Sequence, residues 1–320
     1  NNGAIATEGG DAHGIYALSI GGGGGAGGFS ASGTISGKKS KQLGVSVGGF
    51  GGDGGAGGDV HVRNSGSIAT LSRGANAIYA QSVGGGGGDG GSSFTGTFAG
   101  PETKQLSASV GGFGGDGNEG GRVVVINSGS LETQGKFATG IKAQSVGGGG
   151  GTGGLSVATG FATSGPSEKT AINGSISLGG FGGKGGRGGD VIVHNGTDGE
   201  CQVDCSESSI ITSGDDAHGV YAQSIGGGGG DGGSSIGATV GLDPKAEGKS
   251  FSLDAAIGGF GGDGNSGGQV TVNNRGLIDT LGNEAHGIFA QSVGGGGGNG
   301  GSARTIAIVL GKKAEDKDKD

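Results

Sequence analysis

Three groups of residues in this chain have the types and spacing to do chemistry, and all three point to metal or redox chemistry. Gly48-Gly49-Phe50-Gly51-Gly52-Asp53 fits the first six positions of the Gly-Gly-x-Gly-x-Asp nonapeptide that binds Ca²⁺ in parallel β-rolls. His13, His218 and His286 each stand before Gly-Ile or Gly-Val, so they share one column of nitrogen donors. Cys201 and Cys205 sit four residues apart in one insertion.

Each group has a plainer account. The apolar residue that the calcium motif needs after Asp is Gly55 here, and one copy carries Lys184 in place of the Asp. Calcium is therefore a minor alternative, and no other cofactor is implied. The histidine column holds Asn76 and Thr139 in other copies, which a ligand set does not tolerate, so the histidines read as surface residues. For the cysteines only His194 stands close as a further ligand, so the pair reads as a small loop disulfide of an exported chain. No Ser/His/Asp or Cys/His set can be assembled, because each candidate belongs to a variable column. The glycine runs lack the Lys-Ser/Thr ending and the following helix of a phosphate loop. The chain reads as a non-enzyme.

What positions these residues is a repeat. The serine of the Ala-Gln-Ser segment and its counterparts fall at Ser19, Ser82, Ser145, Ser224 and Ser292, spaced 63, 63, 79 and 68 apart. The copies run approximately over 1–63, 64–126, 127–194, 195–273 and 274–320, about four and a half in one array that reads as a piece of a longer chain. Each opens with an Asn-x-Gly turn, as at Asn64 and Asn127, and a short alternating strand. Next comes Ala77-Ile78-Tyr79-Ala80-Gln81-Ser82-Val83 or its equivalent. Its two-residue period places Ile78, Ala80 and Ser82 inward and Tyr79 outward. The tyrosine column contains Lys142, which also argues for solvent. Tyr16, Tyr79, Tyr221 and Phe289 are therefore the candidate contact surface.

A run of five glycines follows, and then a segment that reads as a β-hairpin: Phe94, Gly96 and Phe98, a polar tip at Pro101-Glu102-Thr103-Lys104, then Leu106, Ala108 and Val110. The tips differ between copies, as exposed loops do. A Gly-Gly-X tract closes the copy and leads into β-branched triplets such as Val123-Val124-Val125. Phe50, Phe113, Phe181 and Phe260 hold the first X in four copies and read as structural anchors against the hairpin or a neighbouring strand.

Glycine supplies 93 of 320 residues, with only three prolines, which excludes collagen. Strict three-residue phase and near-constant length argue against flexible linkers. A left-handed extended helix advances about 3.1 Å per residue, close to a strand. Gly-Gly-X can therefore continue a solenoid as a polyglycine helix whose amides bond to neighbouring tracts and whose X residue faces out. The net charge of −8 argues against nucleic acid, and no apolar run is long enough to insert in a membrane.

The strings Asn-x-Gly-x-Ile-x-Thr, Ala-His-Gly-Ile-x-Ala-Gln-Ser-Val and the five-glycine run, clearest over Asn274 to Gly301, resemble passenger regions of large Gram-negative autotransporter adhesins. The resemblance covers essentially the whole chain. It implies a parallel β-solenoid displayed on the bacterial outer surface, with a host or surface ligand that the sequence does not identify. The long Gly-Gly-X tracts also resemble glycine-rich antifreeze proteins and phage-tail adhesins. The expected architecture is all-β: a repetitive parallel β-solenoid with β-hairpins and layers of polyglycine-II-like helices. The expected role is a stalk or adhesin repeat region at the cell surface. The alternatives are an ice- or glycan-binding surface, for which Thr70, Thr133, Thr212 and Thr280 form a column, and a self-assembling extracellular filament subunit.

Overall fold

Like strands from successive copies lie side by side, so strand order in space is copy order in sequence. The structure is a computed structural model that describes residues 1–164, 171–196, 208–243 and 250–311. The first copy supplies β1 (Ile5–Thr7), β2 (Ile15–Ile20), β3 (Ser30–Ser36), β4 (Lys41–Val47) and β5 (Val60–Asn64). The second supplies β6 (Ile68–Thr70), β7 (Ile78–Val83), β8 (Ser93–Ala99), β9 (Lys104–Val110) and β10 (Val123–Asn127). The third and fourth copies repeat the set, the fifth supplies its first three strands, and the strands assemble into five sheets. Every pair is parallel and in register, as in Ile15↔Ile78 and Val123↔Val191. Among the described residues there is no α-helix. The chain is an all-β parallel solenoid.

The apolar core lies where the sheets that begin with β1, β2 and β5, the first, second and fifth sheets in chain order, meet. Ile68, Ile78, Ala80, Val123, Val125, Leu131 and Ile141 pack there, all buried. The β-branched triplets turn their first and third residues inward, and Ile78, Ala80 and Ser82 are fully buried, as their two-residue period requires.

The expected hairpins are replaced by an arch. β8 and β9 do not share a ladder: β8 pairs with β3, and β9 with β4. The two strands face each other through side chains, as the two sheets of a thin blade. Ser93 Oγ meets Ser109 Oγ and Thr97 Oγ1 meets Ser107 Oγ, each at 2.6 Å. Period-two alternation is the same for an arch and a hairpin. The arch forms because the next copy offers each strand an in-register parallel partner, and because Ser, Thr and Ala are small enough for the sheets to close.

The glycine tracts form two layers between the core and the blade. In the third copy, Gly150 N–H donates to Gly228 of the next copy at 2.9 Å and Gly151 N–H to Gly115 of the opposing tract at 2.9 Å. Thr152 N–H donates to Asp89 Oδ1 of the preceding copy, also at 2.9 Å. Three successive amides thus point in three directions, which satisfies the backbone of a three-fold extended helix. The two tracts of one copy run antiparallel, joined at Gly49–Gly28, Gly52–Gly25 and Gly55–Gly22. A side chain at Gly87 would overlap the Gly115 carbonyl, whereas one at Gly86, an X position, would sit 3.4 Å from Gly149 O. The turn after the first strand holds a left-handed residue in every copy: Asp11, Gly74, Phe137, Asp216 and Glu284, with φ between 54° and 72°.

Candidate functional site

The outer face of the second sheet carries the columns singled out for contact. Tyr16 and Tyr79 stack at 5.2 Å and 7°, and Tyr221 and Phe289 at 5.0 Å and 6°. Lys142 fills the gap between the pairs, with Nζ 5.0 Å from the Tyr79 ring and 5.8 Å from the Tyr221 ring. The lysine is therefore a cation–π bridge inside an aromatic stack as well as a solvent-side residue. Burial lowers its pKa, and burial followed by the neighbouring Tyr16 raises that of Tyr79. The Tyr79 and Tyr221 hydroxyls donate to Gln81 and Gln223 Oε1 at 3.1 and 3.2 Å.

Those glutamines form a ladder of their own. Gln81 donates to Gln144 at 2.8 Å, Gln144 to Gln223 at 2.6 Å, and Gln223 to Gln291 at 2.7 Å. On the inside, Asn64, Asn127, Asn195 and Asn274 bond in sequence, each step 2.8 Å. Asn64 and Asn127 also use Nδ2 to hold the carbonyl of the glycine two residues on. This is the physical content of Asn-x-Gly: the side chain closes its own turn and links it to the next copy.

The histidines are acceptors in the same kind of ladder. Asn76 N–H donates to His13 Nδ1 at 3.1 Å, Thr139 N–H to Asn76 Oδ1 at 2.8 Å, and His286 N–H to His218 Nδ1 at 3.0 Å. Asn and His interchange because each presents an acceptor at a similar reach. In the sequence these residues read as surface histidines; the structure gives His13 and His218 a joint between copies.

Phe50, Phe113, Phe181 and Phe260 stack on one another, with centroids 5.2, 4.8 and 5.5 Å apart along the column. Their stacking partners are their own counterparts rather than the blade or a strand, and Phe50 and Phe260 at the two ends are exposed. The X-position carboxylates of the calcium-like motif face backbone amides: Asp53 Oδ1 accepts Asp116 N–H at 2.8 Å, and Asp116 Oδ1 accepts Lys184 N–H at 2.7 Å. Among the described residues no three His, Cys, Asp or Glu side chains gather as a metal site.

The threonine column lies indoors. Thr70, Thr133 and Thr212 are fully buried, and their hydroxyls donate to the carbonyls of Ala75, Ala138 and Ala217. It forms no flat outer array. Cys201 and Cys205, and the variable polar segments at 165–170, 244–249 and 312–320, lie outside the described residues.

The sequence did carry a signal for these ladders. In a parallel stack that is in register, an Asn or Gln repeated in one column is its own partner. The class defined by fold and site is a parallel β-solenoid with polyglycine layers, held by side-chain ladders along its axis. Comparison with known proteins finds no matching family model, no matching curated protein and no matching solved structure.

Proposed function

We propose that this chain is a structural repeat array of a bacterial cell-surface adhesin of the autotransporter type, working outside the cell. The observation that most supports this reading is the common direction of its contacts. Backbone, Asn, Gln and aromatic ladders all join a residue to its counterpart in the next copy. Such an array extends by adding copies, and its cross-section stays the same.

Parallel strands lie about 4.8 Å apart, so each copy adds only about that much length. It uses 63 to 79 residues to do so. The array therefore supplies breadth and stiffness, and it repeats the same outer columns at close spacing. The Tyr16–Phe289 column and the variable tips are the parts that would meet a surface. The buried threonine column takes support away from an ice-binding reading.

The test is display of the 320-residue array on a non-adherent bacterium through an unrelated anchor. Attachment to host cells or matrix-coated surfaces severalfold above that of a displayed inert β-domain supports the adhesin reading. Attachment equal to the inert control overturns it.

A further inference from the structure

The blade of β3, β4 and their counterparts is inverted relative to an ordinary sandwich. Its interior is lined by hydroxyls: Ser46 bonds Thr95, Ser93 bonds Ser109, and Ser156 bonds Ser177. Its apolar side chains point away from that interior. On the sheet made by β4, β9, Ala171–Leu178 and Ser250–Ile257, Leu43 is 62%, Phe251 57% and Leu253 65% exposed. Val45, Ile176 and Ile257 are about half exposed on the same face. Contiguous apolar surface of this kind marks an interaction site.

We propose that this face is an interface between two copies of the chain, laid face to face and antiparallel. Three observations select a second copy as the occupant. The first is area. Taking about 200 Å² for a fully exposed large apolar residue, the six residues with Val47 and Leu106, six of these eight on the two end strands of the sheet, expose at most roughly 800 Å², about what one partner contributes to a stable dimer of standard size.

The second is shape. Gly174 interrupts the row Leu43, Leu106, Leu253, which leaves a groove of about 500 Å³ lined by these leucines, Ile172 and Phe251. A two-fold interface must complement itself. The second copy brings the same exposed Phe251 as a knob for this hole.

The third is charge. The chain carries a net −8, which opposes association in general. Among the described residues, the outward positions of these four strands hold no carboxylate. Asp254 points into the blade, bonded to Ser175 and Thr239. Among the described residues, the charges lining the groove are Lys41 and Lys104, side by side at one margin. An antiparallel arrangement keeps the two lysine margins apart.

The test is sedimentation of the 320-residue chain over a wide concentration range, beside a Leu43→Asp/Leu253→Asp variant with an unchanged circular dichroism spectrum. The expected result is a concentration-dependent dimer whose dissociation constant rises at least about tenfold in the variant. If the aspartates disturb folding, Leu43→Ser/Leu253→Ser serves as the milder pair, with the same expected direction. A chain that stays monomeric at the highest concentration overturns the proposal. Equal association of chain and variant also overturns it, because the contact then runs through the end rungs. A monomer that floats with phosphatidylcholine vesicles, and loses this in the variant, assigns the face to lipid and overturns it as well. No arm of this experiment depends on adhesion, so it fails separately from the adhesin reading.

Discussion

His218 Nδ1 accepts the backbone N–H of His286 at 3.0 Å, and the two rings lie 5.1 Å apart and 10° from parallel. The proton-free nitrogen of one copy thus anchors the chain of the next. His13 does the same for Asn76, and Asn76 for Thr139. A proton on that nitrogen would face a donor. His and Asn interchange in this column because each presents an acceptor to the next copy's backbone N–H.

This makes acid a specific destabiliser. Burial, and next the neighbouring His286, lower the His218 pKa against an opposing Asp216. Burial lowers that of His13, with Asp11 opposing and Lys142 assisting. The folded pKa values lie below the ordinary imidazole value of about 6.5, so the unfolded chain binds the proton more readily. The stability they contribute is complete above pH 6.5 and is lost as pH falls through the lower folded values. The melting temperature should fall between pH 7 and pH 5, and a His13→Asn/His218→Asn variant should flatten that slope. An unchanged slope would show that the acceptor role is not what titrates.

The asparagine ladder predicts a larger effect. Asn127 is fully buried, accepts from Asn64 and donates to Asn195 and Gly129. Asn127→Ala removes three hydrogen bonds among buried groups, with Asn64 keeping its bond to Gly66 and Asn195 its bond from Ser208, and should lower stability by about 2–4 kcal/mol, read from the shift in urea midpoint. A loss below about 1 kcal/mol would mean that the ladder adds little beyond the backbone.

Much of this organisation was legible in the chain. Copy length, the number of segments and the inward set Ile78, Ala80 and Ser82 follow from periodicity alone. The arch did not follow, since Phe94 to Val110 alternates in the same way whether β8 pairs with β9 or with β3. Nor did the ladders. Asn64 and Gly66 also read as an ordinary turn, and the Asn76/His218 equivalence exists only once copies are placed in register. The outward-facing phenylalanines of the blade were hidden by the same ambiguity, because alternation does not say which face is inside.

The glycine layers permit a paired substitution. Gly86 and Gly87 are neighbours in one run, but only Gly87 lacks room for a side chain. Gly87→Ala should disrupt the local stack and cost several kcal/mol, a core overpacking effect against rigid backbone. Gly86→Ala should be nearly neutral or slightly stabilising, because it restricts the unfolded chain. Equal effects would contradict the three-fold phase.

Lys142 offers a test of the aromatic stack. Lys142→Ala should cost about 1 kcal/mol, since it removes the cation between Tyr79 and Tyr221 and the packing of its stem. Lys142→Tyr, which continues the column, should recover most of that loss in thermal unfolding.

The central claim is that the glycine tracts are ordered helices bonded between copies, and amide hydrogen exchange tests it most directly. The informative positions are Gly87, Gly88, Gly114 and Gly115, whose N–H groups donate to Gly149, Gly52, Phe181 and Gly88. The account predicts protection at these amides comparable to that of the core strand Ile78–Val83. Exchange at the rate of an unstructured chain would show the tracts to be linkers and contradict the account.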